Sequence, residues 1–154
     1  MTSLAAGIDY IDLSFLGTPE IIATVVLHGP RGVALIDPGP STTLEHLTSA
    51  LKRKGFAVAD LTQILLTHIH LDHAGATGSL VKLNPSIDVF VHERGAAHMA
   101  DPQRLLASAS RLYGEDMGPF WGEFLPVPTG QLRPLSGGET IAAGGRELPP
   151  SWPP

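Results

Sequence analysis

Six consecutive residues, His68-Ile69-His70-Leu71-Asp72-His73, constrain this chain more than any other feature in it. They follow the apolar run Ile64-Leu65-Leu66 directly and lead into Ala74-Gly75. A strand entering at Ile64 places side chains two apart on the same face, so His68 and His70 are able to share one ion. Asp72 and His73 fall where the chain turns toward Gly75 and are able to address a second ion beside the first. Imidazole nitrogens and carboxylate oxygens suit Zn²⁺, with Fe or Mn as alternatives. Two ions roughly 3.5–4 Å apart would make a two-metal hydrolytic site.

The ligand pool is limited to those groups because the chain has no cysteine, which removes thiolate ligands, disulfides and a cysteine nucleophile together. A length of 154 residues, with 43% apolar and 16% charged side chains, suits one domain with a real core. Its net charge of −5 argues against nucleic acid as a partner. The N-terminus has Asp9 and Asp12 where a leader would be basic and then apolar, and the longest apolar stretch, Ile21 to Leu27, is far below the roughly 20 residues of a membrane span. These features lead us to expect a soluble cytoplasmic protein that meets a small-molecule substrate and no membrane, as a monomer or homo-oligomer.

Along the chain, Gly7 to Phe15, Ile21 to Leu27 and Val33 to Ile36 read as three strands that pair antiparallel at a sheet edge. Ser41 to Lys54 reads as a helix, with Thr42 and Glu45 in capping-box spacing and Leu44, Leu47 and Leu51 on one face. Leu61 to Thr67 is the strand that delivers the His cluster, and Gly75 opens a helix that runs through Leu83. Ile87 to Val91 follows as a strand parallel to Leu61–Thr67. Two helices, Glu93–Ala100 and Pro102–Tyr113, come next.

Candidate site residues outside the cluster follow from this order. Asp37, in the turn Asp37-Pro38-Gly39-Pro40, lies at the same sheet end as the cluster, where its carboxylate would accept a hydrogen bond from an imidazole or a backbone amide. His92 stands just past a strand's carboxyl end, where ligands bind in open α/β sheets. Tyr113, Phe120 and Trp121 sit in a glycine-punctuated segment that reads equally as a substrate wall and as a satellite apolar cluster. His28, His46 and His98 have no ligand partner at useful spacing and are read as structural.

The eight residues His68-Ile69-His70-Leu71-Asp72-His73-Ala74-Gly75 resemble the His-x-His-x-Asp-His-x-Gly signature of the metallo-β-lactamase-fold hydrolases. The resemblance implies a mixed α/β architecture, the first half of an αββα sandwich, with flanking helices. It implies Zn²⁺, one or two ions, held by His68, His70, Asp72 and His73, with Asp37 in support and Asp72 as the catalytic residue that orients the attacking water. The implied reaction is metal-assisted hydrolysis of an ester, thioester or lactone-type bond, as in glyoxalase II-like members. The family's later ligands have no counterpart, since no His follows His98. Residues 1–148 are therefore expected to form the N-terminal part of such a domain, truncated at the C-terminal side, and the prolines of 149–154 a disordered tail. Two other readings of the same residues are an inactive fragment and an iron-dependent enzyme resembling the sulfur dioxygenases.

Overall fold

A computed structural model describes residues 1–149, and the expected prolyl tail lies almost wholly outside the described residues. Four strands open the chain: β1 (Thr2–Ala5), β2 (Ile8–Asp12), β3 (Ala23–Gly29) and β4 (Gly32–Ile36). Each pairs antiparallel with the next, and β3 and β4 close tightly at Gly29 opposite Gly32. The chain then crosses over through α1 (Leu44–Arg53) to β5 (Leu61–Leu65). From here the sheet continues in parallel. The segments α2 (Leu71–Ala74) and α3 (Thr77–Leu83) lead to β6 (Asp88–His92), and α4 (Glu93–Ala100), α5 (Gln103–Tyr113) and α6 (Met117–Trp121) lead to β7 (Leu132–Leu135). The order β1 to β7 is unbroken across a seven-stranded mixed sheet.

Burial explains the switch from antiparallel to parallel. β4 and β5 are apolar on both faces, with Val33, Ala34, Leu35, Ile64 and Leu65 all at most 3% exposed. Strands of that kind need cover on each side, which a helical crossover supplies on one. Leu47, Ala50 and Leu51 of α1 pack there with Ile64, Leu80 of α3, Val89 and Met99 of α4 in one continuous core. The other face holds a smaller cluster, in which Leu27, Ala34, Leu65 and Leu135 pack under Ile141 and Ala143. Those last two belong to a hairpin of β8 (Ile141–Ala143) and β9 (Arg146–Leu148). Half of a sandwich would leave this face of the sheet uncovered. The hairpin covers part of it, and Gln63 Nε2 donates to the Ala142 carbonyl at 2.8 Å to hold it down.

Several boundaries differ from the sequence expectation. The opening strand Gly7–Phe15 is shorter, and β1 precedes it with every residue exposed, so no apolar alternation announces it. The capping box at Thr42 and Glu45 does not form. Residues Ser41–Thr43 make a 3₁₀ turn instead, and Thr42 Oγ1 donates to the Phe120 carbonyl at 2.8 Å. The metal-loop strand ends at Leu65, and the following helix begins at Thr77 after a separate short helical turn, α2. Three expected pairings are present: the antiparallel β2–β3–β4 group, the parallel β5–β6 pair, and a helix pair after β6.

The turn between β7 and β8 depends on one carboxylate. Glu139 accepts hydrogen bonds from Ser136 N, Ser136 Oγ and Gly137 N, each at 2.8 Å. These donors favour the charged form and lower its pKa from 4.5 to about 2. The stabilisation is therefore present above pH 4.5 and lost as pH falls through about 2. In an NMR titration of the folded chain, the Ser136 and Gly137 amides should move with a midpoint near 2. A midpoint near 4.5 would show that the turn does not hold the carboxylate.

Candidate metal centre

The cluster assembles at the carboxyl edge of the parallel strands. β4, β5 and β6 end nearly level, with Ile36 opposite Leu65 and Leu65 opposite Phe90. Asp37 leaves β4 there, Thr67 and His68 leave β5, and His92 ends β6. The α2 turn then brings Asp72 and His73 back toward His68. The His68 ring lies 4.7 Å from that of His70 and 3.9 Å from that of His73, centroid to centroid. His73 Nε2 is 3.2 Å from Asp72 Oδ2. Two groups of ligand atoms come within 4.8 Å of one another, His68-His70-Asp72 and Asp37-His68-His73, and His68 is common to both.

Asp37 organises the edge. Its Oδ1 accepts from Thr67 N at 2.8 Å, and its Oδ2 accepts from Thr67 Oγ1 at 2.5 Å and from His73 Nδ1 at 2.9 Å. Asp37 reaches these partners from the left-handed region, at φ 52°. Asp is among the few non-glycine residues that tolerate that region. The same loop is tied to the cluster through its backbone, since Gly39 N donates to the His73 carbonyl at 3.0 Å and Ala76 N to the Gly39 carbonyl at 2.8 Å. Glycine at 75 permits this approach, because a Cβ there would sit 2.9 Å from Pro40 Cα.

These bonds select the tautomers of two imidazoles. A carboxylate only accepts, so the single Thr67 hydroxyl proton goes to Asp37. Thr67 Oγ1 must then accept from His68 Nδ1, which lies 2.9 Å away. His73 likewise uses its Nδ1–H on Asp37. A neutral ring held in this way carries its lone pair on Nε2, the form a metal requires. With both Asp37 oxygens already accepting, its carboxylate serves the cluster as an anchor for His68 and His73. Burial, then the neighbouring His73 and His70 rings, lower the His68 pKa below its usual 6.5. Protonation of His68 therefore favours the unfolded chain. The metal-free fold is at full strength above pH 6.5 in this respect and weakens as pH falls below it. Three imidazoles with one open carboxylate fit a divalent ion of the zinc type.

Other sequence candidates fall into two places. Tyr113 and Trp121 line a cleft of about 270 Å³ that begins at His70 and Asp72. Phe120 does not line it, and packs edge-on against Phe15, Tyr113 and Trp121. His92 faces a separate recess beside His68 and Arg94, and its Nδ1 accepts from Arg94 N at 3.2 Å to cap α4. His28 pairs with buried Asp9 at 2.9 Å, a structural contact. Sequence reasoning passed over Thr67, whose only signal was a hydroxyl between an apolar strand and the first His.

Sheet order and ligand cluster together define an α/β protein with candidate metal ligands at the carboxyl ends of parallel strands. The chain belongs to the metallo-beta-lactamase superfamily, whose family model matches residues 17–154. A hydroxyacylglutathione hydrolase of Buchnera aphidicola is 38% identical over 66 residues, covering 43% of this chain and 24% of that protein. A probable metallo-hydrolase of Bacillus subtilis is 29% identical over 122 residues, covering 77% of this chain and 36% of its own length. Among solved structures, a beta-lactamase from Chitinophaga pinensis superposes with a TM-score of 0.69 at 27% identity, over 95% of this chain and 49% of the other. A metallo-beta-lactamase family protein of Thermus thermophilus shares the fold with a TM-score of 0.70 at 24% identity, over 96% and 52%. The chain thus spans about half the length of these solved structures and a quarter to a third of the curated relatives. Among the described residues, no helix is long and apolar enough to cross a membrane.

Proposed function

We propose that this chain carries the ligand-bearing half of a zinc-dependent hydrolase site for an ester, thioester or lactone bond in the cytoplasm. The observation that carries the reading is the convergence of the His68, His70 and Asp72 ligand atoms within 4.8 Å of one another, with His68 Nδ1 bonded to Thr67 Oγ1 and His73 Nδ1 to Asp37. His68, His70 and His73 would hold metal, and the names of the two curated relatives agree with hydrolysis. A divalent ion bound there supplies Lewis acidity, polarising a carbonyl and lowering the pKa of water. The chain's own contribution is positional. Asp72, 41% exposed, is the carboxylate open to solvent, and it would help to hold the ion and orient the attacking water. The imidazoles would serve as ligands and not as bases, because coordination would use their free lone pairs.

The reading predicts that the purified chain, loaded with Zn²⁺ and desalted, retains at least one zinc by elemental analysis. It should hydrolyse a member of a thioester and lactone panel, lose that activity to a chelator and regain it with Zn²⁺. A chain that keeps no metal and turns over nothing in the panel would refute it.

A further inference from the structure

The cleft beside the cluster has two unlike walls. On one side α5 presents Leu105, Ala109 and Leu112. This helix is amphipathic in sequence, yet none of its residues is fully buried, and Leu112 is 77% exposed. Its apolar stripe is thus left half open to solvent beside His70 and Asp72. The other wall is fixed. The Trp121 ring stacks on Phe15 at 5.3 Å, and its carbonyl accepts from Ser41 Oγ at 2.9 Å. Ser41 follows the Asp37–Pro40 loop, so the aromatic wall is tied to the scaffold that orients the imidazoles.

Charge is as informative as shape. Apart from His70, no lining residue is basic. Arg104 and Arg111 lie on α5 but do not line the cleft, while Asp72 does, and Glu115 and Asp116 follow Tyr113 closely. Away from the ligand cluster, where a bound ion would supply positive charge, the cleft offers an anionic group no basic side chain to pair with. An alkyl chain would cover leucine and alanine surface now in water. The volume of about 270 Å³ is near the lower end for small-ligand pockets and suits a short chain.

We propose that the cleft between α5 and Trp121 seats an uncharged apolar substituent of the substrate, a short alkyl or acyl chain, and disfavours anionic ones. The assignment rests on the metallo-hydrolase reading for the reacting end and adds the class of group at the other. Leu105 and Leu112 become specificity-determining residues.

Trp121 is a built-in reporter once Trp152, the second of two tryptophans, is replaced by phenylalanine. Three non-hydrolysable probes are titrated against this W152F chain: N-methyloctanamide, N-methylacetamide and N-methylsuberamate, an amide of the same chain length that ends in a carboxylate. N-methyloctanamide should change Trp121 fluorescence saturably and bind at least about tenfold more tightly than N-methylacetamide, since each added methylene buries further apolar area. N-methylsuberamate, whose carboxylate would lie at the far end of the cleft, should compete poorly. Leu112→Lys, at a position 77% exposed, should weaken the octanamide about fivefold and improve N-methylsuberamate. Equal binding of the two amides, or an octanamide response indifferent to Leu112→Lys, overturns the assignment. Zinc content measured on the same sample separates the two readings. Retained zinc with a flat octanamide titration removes the cleft assignment alone. A normal octanamide response without zinc removes the metal reading and leaves the apolar seat standing.

Discussion

His68→Ala is expected to abolish zinc retention while leaving the metal-free fold nearly as stable as before. His68 is the residue common to both candidate ligand groups, and its ring lies within 4.7 Å of the His70 ring and 3.9 Å of the His73 ring. Without it, the His68-His70-Asp72 group falls to two ligands, where zinc sites that do chemistry keep three. Elemental analysis after desalting should find no zinc in His68→Ala and a measurable amount in His92→Ala, because His92 caps α4 in a separate recess. The fold should tolerate the change. The side chain is only partly buried and its hydrogen bond is to Thr67, whose hydroxyl keeps Asp37 as a partner. We expect the metal-free unfolding free energy to change by no more than about 1 kcal/mol. Undiminished zinc in His68→Ala would mean that the ion sits elsewhere.

Asp37→Ala should do the reverse, striking the fold harder than the ligand set. Asp37 is 9% exposed and accepts three hydrogen bonds, from Thr67 N, Thr67 Oγ1 and His73 Nδ1. Removing it leaves three donors without an acceptor in a partly buried edge, and alanine gains nothing at φ 52°. A loss of about 3 kcal/mol is expected, or roughly 10 °C in the thermal midpoint of a domain this size. Zinc affinity should fall about 10–100-fold, the usual cost of removing a partner that orients ligands. Asp37→Asn keeps the shape and tolerates the same backbone, so it should lie between alanine and the native residue in both measurements. If Asp37→Ala unfolds at the native temperature, the network carries no stability and its role in tautomer selection fails with it.

What was legible in the sequence was local. The spacing of His68, His70, Asp72 and His73 places four ligand-type side chains within six residues, and no tertiary contact is needed to see that. Alternating or continuous apolar runs marked β2 to β6, because burial on one face or two leaves a period in the chain. β1 left no such mark: its residues are exposed and it exists only by pairing with β2. The capping box failed for a related reason. Thr42 Oγ1 donates to the Phe120 carbonyl, 78 residues away, and no side chain accepts from the amides that open the helix.

By itself, then, the sequence determined the candidate ligand set, the family and the parallel passage from β5 to β6. Only the tertiary structure decided how those ligands are held. Asp37 and His73 are 36 residues apart, and Ser41 and Trp121 are 80 apart. Each pair meets because strand order and register bring the ends of β4 and β5 level, and because α6 folds back on the loop after β4. A side chain's type and spacing are written along the chain. Its partner across the sheet edge is set by packing, which has no period to read.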